Sequence, residues 1–158
     1  MDRILEISSL LAAMLLLVFS VPRTRLREAV VVYLFMQALT WFLGLVVVEA
    51  GLIVYPVRLF PESTNTSFGF EFVIYPVICV IFNLHYPERK GWLRQFLHFA
   101  LFCTAITVVE VIVERYTDII EYTGWTWYWT WLSLFVTLFA SRLFYLWFFH
   151  KKWEKPAR

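Results

Sequence analysis

The chain is 158 residues long, with 61% hydrophobic and 16% charged residues, against about 25% charged in an average soluble domain. Its net charge is +2, Gly, Pro and Cys number 5, 6 and 2, and aromatic residues reach 20%, which excludes disordered, collagen-like and disulfide-scaffold chains. A soluble domain of this size has no interior large enough for so much apolar surface, so what remains is an integral membrane protein.

A membrane-crossing helix needs about 20 mostly apolar residues, and five stretches fit: 4–21, 29–48, 68–84, 95–113 and 127–149. Strict period-two alternation is missing, so a barrel is not expected. The predicted fold is all-α, a single polytopic bundle of five transmembrane helices over residues 1–158. The first stretch has a neutral start, Asp2 against Arg3, and three arginines follow it; that charge order fits a retained anchor better than a cleaved signal. The connection 49–67 carries Tyr55-Pro-Val-Arg-Leu-Phe-Pro61, whose two prolines forbid a continuous helix. Glu62-Ser-Thr-Asn-Thr-Ser67 then offers an N-cap for the third span. Asn65-Thr66-Ser67 matches a glycosylation acceptor, without meaning in a bacterial host.

Orientation follows from Lys and Arg. One side collects ten cations: Arg23, Arg25, Arg27, Arg89, Lys90, Arg94, Lys151, Lys152, Lys155 and Arg158. The other side has Arg3, Arg58 and Arg115. Cationic loops stay in the cytoplasm, so the N-terminus is expected outside and the C-terminus inside. The cations are spread over loops rather than lined along one face, which argues against a nucleic-acid partner and for membrane lipids.

Ionisable groups inside spans are costly and face a bundle interior or a polar cavity. Glu71 and Glu110 fall near the outer ends of the third and fourth spans, and Glu114 shares a helix face with Glu110. With Arg58 and Arg115 as counter-ions, these five residues are expected to converge on one outward-facing site, either an ion-pair network or a place for a ligand or proton. Glu6 and Glu49 lie at the outer edges. Arg142 lies about 10 Å from the inner end of its helix, with Asn83 and His98 near the same level, and the three form a candidate inner polar cluster. Trp125, Trp127, Tyr128 and Trp131, with Trp129 among them, read either as an interfacial belt or as a stacking platform for a ligand ring or quaternary amine; Trp92 and Trp153 mark the inner interface. Cys79 and Cys103 lie within spans and read as inert thiols. With His85, His98 and His150 scattered, no metal-ligand spacing appears, and no cofactor or catalytic motif is present.

Together, Tyr55-Pro-Val-Arg-Leu-Phe-Pro61, Glu71, Tyr75-Pro76, Asn83, Glu110-x-x-x-Glu114-Arg115-x-Thr117, Tyr122-x-x-Trp125-x-Trp127-Tyr128 and Arg142 resemble a family of small five-span membrane proteins of spore-forming Gram-positive bacteria. The resemblance covers the chain from the second helix onward. It implies a bacterial plasma membrane and a five-helix fold, and no reaction.

The function expected is non-enzymatic: an outward-facing polar site for a lipid headgroup, a small ligand or a membrane-protein partner. The alternative is a small proton- or cation-coupled transporter or channel using the intramembrane carboxylates. Five spans are few to enclose a pathway, so a homo-oligomer belongs with that alternative.

Overall fold

The computed structural model describes residues 2–149. His150, Lys151, Lys152, Trp153, Lys155 and Arg158 lie outside the described residues. The chain is all-α apart from one two-residue ladder. Its helices are α1 (Asp2–Ser20), α2 (Leu26–Glu49), α3 (Tyr75–Leu84), α4 (Trp92–Tyr116) and α5 (Trp127–Phe148). A turn of π-helix, Phe70–Ile74, leads into α3. Four helices are long and apolar enough to cross a membrane: α1, α2 with the short turn before it, α4 and α5. Their outward faces carry large apolar side chains such as Phe19, Trp92, Leu101 and Trp147, the pattern of surfaces solvated by hydrocarbon rather than water.

The third expected span is the one that differs. Helical backbone there runs over residues 68–84, and these 17 residues rise about 25 Å, short of a hydrocarbon core of about 30 Å. Eight of the ten α3 residues are buried, because α1, α2 and α5 all pack on it. It is the axis of the bundle. The surrounding core joins Val32 and Met36 of α2, Cys79 and Phe82 of α3, Phe99 and Cys103 of α4, and Leu138 and Tyr145 of α5.

Pro76 explains the irregular start of this axis. Proline has no N–H to donate into the preceding turn, and Tyr75 N–H reaches back to Phe70 O in the wide π pattern. The carbonyls of Glu71 and Phe72 are thereby left for side chains of α2. Thr40 Oγ1 donates to Glu71 O at 2.8 Å; Tyr33 Oη and Gln37 Nε2 donate to Phe72 O at 2.7 and 3.1 Å. Orphaned carbonyls at membrane depth are tolerated only with such replacements, and they lock the π turn to α2.

Helix α2 ends in a paired turn: Leu52 N–H bonds Val47 O, Gly51 N–H bonds Val48 O, and Gly51 takes the positive φ of 68° that this closure requires. The chain then pairs β1 (Ile53–Val54) antiparallel with β2 (Glu121–Tyr122), Ile53 opposite Tyr122. Val57 N–H to Asp118 O and Thr123 Oγ1 to Gly51 O extend the seam. The two long connections thus form one lid over this end of the bundle, here called the looped end; the opposite end, with Arg23, Arg25, Arg27, Arg89, Lys90 and Arg94, is the basic end.

Candidate functional site

Under the lid, the faces of α1, the α3 axis and α4 leave a cavity of about 570 Å³. Glu6 and Ser9 come from α1, Ser67 and Gly69 from the start of the axis, Glu110 from α4, and Tyr55 from the lid. The remainder is apolar, descending past Ile74 and Ile78 on one wall and past Val109, Ile106 and Phe102 to Leu101 on the other. The result is a greasy groove with its polar groups gathered at the looped end.

Two carboxyl groups define that polar end. Glu6 is 6% exposed; its Oε1 accepts Leu59 N–H at 3.2 Å, and its buried Oε2 has no hydrogen-bond partner. Glu110 is half-buried; its Oε1 accepts Tyr122 Oη at 2.5 Å and Thr130 Oγ1 at 2.7 Å. Trp125 Nε1 in turn donates to Thr130 Oγ1 at 2.8 Å, so the lid, α5 and α4 all hold this one oxygen. Each carboxyl is anchored through Oε1. Burial, followed by the Glu110 carboxyl, holds the Tyr122 hydroxyl well above the ordinary phenol range. Tyr55 is raised likewise, first by burial and then by the carboxyls of Glu71 and Glu110.

The expected five-residue convergence takes a different form. Glu110 reaches the groove, whereas Glu71 turns to α2: it is 3% exposed, and its carboxyl occupies the space beside Gly44. Tyr55 is close enough to both acids to feel their charge. Arg58 is not their counter-ion. Its guanidinium binds the carbonyls of Thr64 and Tyr55 at 2.7 Å, Pro61 O at 3.2 Å and Asn65 Oδ1 at 3.2 Å, and so folds the lid on itself. Arg115 is exposed, and among the described residues no ion pair joins either arginine to a carboxylate. Glu114 is half-buried one turn beyond Glu110, and its charge reaches Tyr122. The residues absent from the expected site are Glu6, Tyr55 and Tyr122. Glu6 was legible as an outer-edge acid; its bond to Leu59 joins residues 53 positions apart, which no local pattern signals.

At the basic end, Asn83, His98 and Arg142 lie near one another, but no hydrogen bond among the described residues joins them. Arg142, 2% exposed, donates to Glu88 Oε1 at 2.7 Å and lies 4.1 Å over the Tyr86 ring. Asn83 donates to Ser141 Oγ at 2.8 Å. A ring nitrogen of His98 meets Phe82 O at 3.1 Å, the ring stacking on Phe82. Arg25 donates to Leu84 O at 2.7 Å and, with Tyr145, to Glu28 Oε2. These bonds stitch the C-terminal end of α3 to α2 and α5. Burial raises the Tyr86 phenol, and the Arg142 charge beside it pulls the other way.

Of the aromatic residues, Trp127, Tyr128 and Trp129 are largely exposed around the start of α5; Trp125 turns inward to Thr130, and Trp131 donates to Thr104 Oγ1 while stacking on Phe135. The rings of Trp125, Trp127, Tyr128 and Trp129 meet one another tilted or edge-on. Cys79 and Cys103 are buried free thiols in the core.

Comparison of the chain with family models, with curated proteins and with solved structures finds no match. The functional reading rests on the groove and its carboxyl groups.

Proposed function

We propose that the chain is a non-enzymatic integral membrane protein that holds an amphiphile or small ligand in the groove between α1, the α3 axis and α4. The observation that carries this reading is the groove itself: about 570 Å³, apolar along its length, with Glu6, Tyr55 and Glu110 gathered at one end. Sites for small ligands are apolar clefts of a few hundred Å³ with few, placed polar groups. The lid is tied to the groove through Leu59–Glu6 and Tyr122–Glu110, which suits a ligand entering past it. Ala105 of α4 also lines the groove, and the test is the groove-filling substitution Ala105→Phe. Mass spectrometry of purified protein should find amphiphile retained by the parent and lost from the variant at unchanged melting temperature. Equal retention by both would remove the groove from consideration.

The orientation in this proposal has the looped end outside, the short third helix α3 completing the membrane passages, and Arg23, Arg25, Arg27, Arg89, Lys90 and Arg94 in the cytoplasm. The family resemblance, with its bacterial plasma membrane, belongs to the same reading. Cysteines placed at Thr64 and Thr123 should react with an impermeant thiol reagent in intact cells, and one at Ala157, outside the described residues, should not.

Proton- or cation-coupled transport is the second reading. Glu71 favours it: a buried carboxyl in a π turn, its Oε2 without a partner, and π turns recur at functional positions. In that case Glu71→Gln abolishes a proton or cation flux in proteoliposomes and leaves amphiphile retention unchanged.

A further inference from the structure

The charge around the groove points to the chemistry of its occupant. Two ionisable acids line it, Glu6 and Glu110, and among the described residues neither lysine nor arginine does, the charge of Arg3 reaching Glu6 from one turn earlier on α1. The nearest lid arginine, Arg58, is engaged by loop carbonyls and Asn65. Both acids are anchored through one oxygen, but only Glu6 buries the other one without a partner. Oε1 is held by the protein, through Leu59 N–H in Glu6 and through two hydroxyls in Glu110, while Oε2 has no protein hydrogen bond among the described residues. Glu6 is the more telling, because an unpartnered polar atom in a residue 6% exposed is costly to leave empty-handed. The Tyr55 ring borders the same end of the groove. Two carboxylate oxygens and an aromatic ring are the elements that recognise an ammonium group. An anionic headgroup would instead meet like charge.

The apolar length sets the other half of the ligand. From Glu110 down to Leu101, α4 supplies about 14 Å of wall at 1.5 Å per residue. Facing it, Phe70, Ile74 and Ile78 repeat at four-residue intervals along the axis. These two facing walls make the groove apolar over a length that a hydrocarbon chain can follow.

The geometry points to an alkylammonium amphiphile as the ligand: its hydrocarbon lies between α4 and the α3 axis, and its ammonium sits between Glu6 and Glu110 beneath Tyr55. This assignment rests on the groove-binding reading above and adds the sign of the headgroup.

The experiment uses the full chain reconstituted in phosphatidylcholine nanodiscs, with three photoactivatable probes sharing one dodecyl tail and bearing an amine, an alcohol or a sulfate head. After irradiation, labelled peptides are mapped by mass spectrometry. The amine probe should label the 101–109 stretch of α4 at least about tenfold more than the alcohol, which is about 1.4 kcal/mol of preference, and the sulfate should label it least. In the variant Glu6→Gln with Glu110→Gln, amine labelling should fall to the level of the alcohol. Equal labelling by amine and alcohol in the parent protein overturns the ammonium assignment and leaves amphiphile binding standing. Stronger labelling by the sulfate overturns it as well. Absence of groove labelling by all three probes overturns the groove reading itself. The headgroup series on the parent protein decides the matter even if the double variant does not fold.

Discussion

Gly44 and Glu71 occupy the same space: a Cβ on Gly44 would stand 1.9 Å from Glu71 Oε1 and 2.4 Å from its carboxyl carbon. The absence of a side chain on α2 is therefore what admits a buried carboxyl from the π turn. Gly44→Ala must displace either the carboxyl or the helix and should destabilise the fold by about 1–3 kcal/mol, the usual cost of overpacking. Glu71→Ala should relieve most of that cost in the double variant. A cycle of four melting measurements in detergent reads the coupling, and additive effects would mean that the two residues do not share this space.

The π turn makes a second coupling testable. Tyr33 and Gln37 both serve the carbonyl of Phe72, which Pro76 leaves without a backbone donor. Tyr33→Phe with Gln37→Leu should cost about 1–3 kcal/mol by stranding that buried acceptor. In a Pro76→Ala background, where residue 76 regains its N–H, the same pair should cost less. Chemical unfolding of the four proteins measures the difference.

Arg142 and Glu88 are unequally buried partners, with side-chain exposures of 2% and 35%. Removing Glu88 leaves a charge inside the protein; removing Arg142 leaves a carboxylate that water can reach. Glu88→Ala should therefore destabilise by on the order of 3 kcal/mol, and Arg142→Leu by less, although both break the same pair. Thermal unfolding gives the order, and the reverse order would contradict the burial argument.

Alkaline pH should loosen the lid first. Tyr55 and Tyr122 hold their protons more tightly in the folded protein, burial being the main cause for both and nearby carboxyls the second. For a raised folded value the stabilisation is fully present below the unfolded phenol value of about 10, and it is lost as pH rises through the range between that value and the folded one. Melting temperature should fall above about pH 10, and Tyr122→Phe should shallow the fall, since phenylalanine has no proton to lose.

Much of this architecture was legible in residue order alone. Apolar runs of membrane length marked all five helical segments, since satisfying backbone groups in hydrocarbon permits little else. Four met the length of a crossing and the third fell short, because the Ser/Thr-rich connection before it and Tyr86-Pro87 after it bound a helical run of residues 68–84 alone. Glu110 was recognisable as out of place in an apolar run. Its partners were not, because Tyr122 and Thr130 reach it from separate segments. Arg58 read as a counter-ion on charge alone, yet backbone carbonyls of its own loop satisfy it.

The division has a physical basis. Composition and hydropathy are properties of each segment by itself, so the sequence determined on its own that this chain consists of apolar helices with a few costly carboxyls near their ends. Which oxygen of Glu6 is anchored, why Gly44 must lack a side chain, and that α1 and α4 stand apart enough to leave a groove along α3 depend on distances between segments. Those distances exist only once the helices pack, and packing, rather than any local pattern, placed two carboxyl groups at the mouth of one apolar groove.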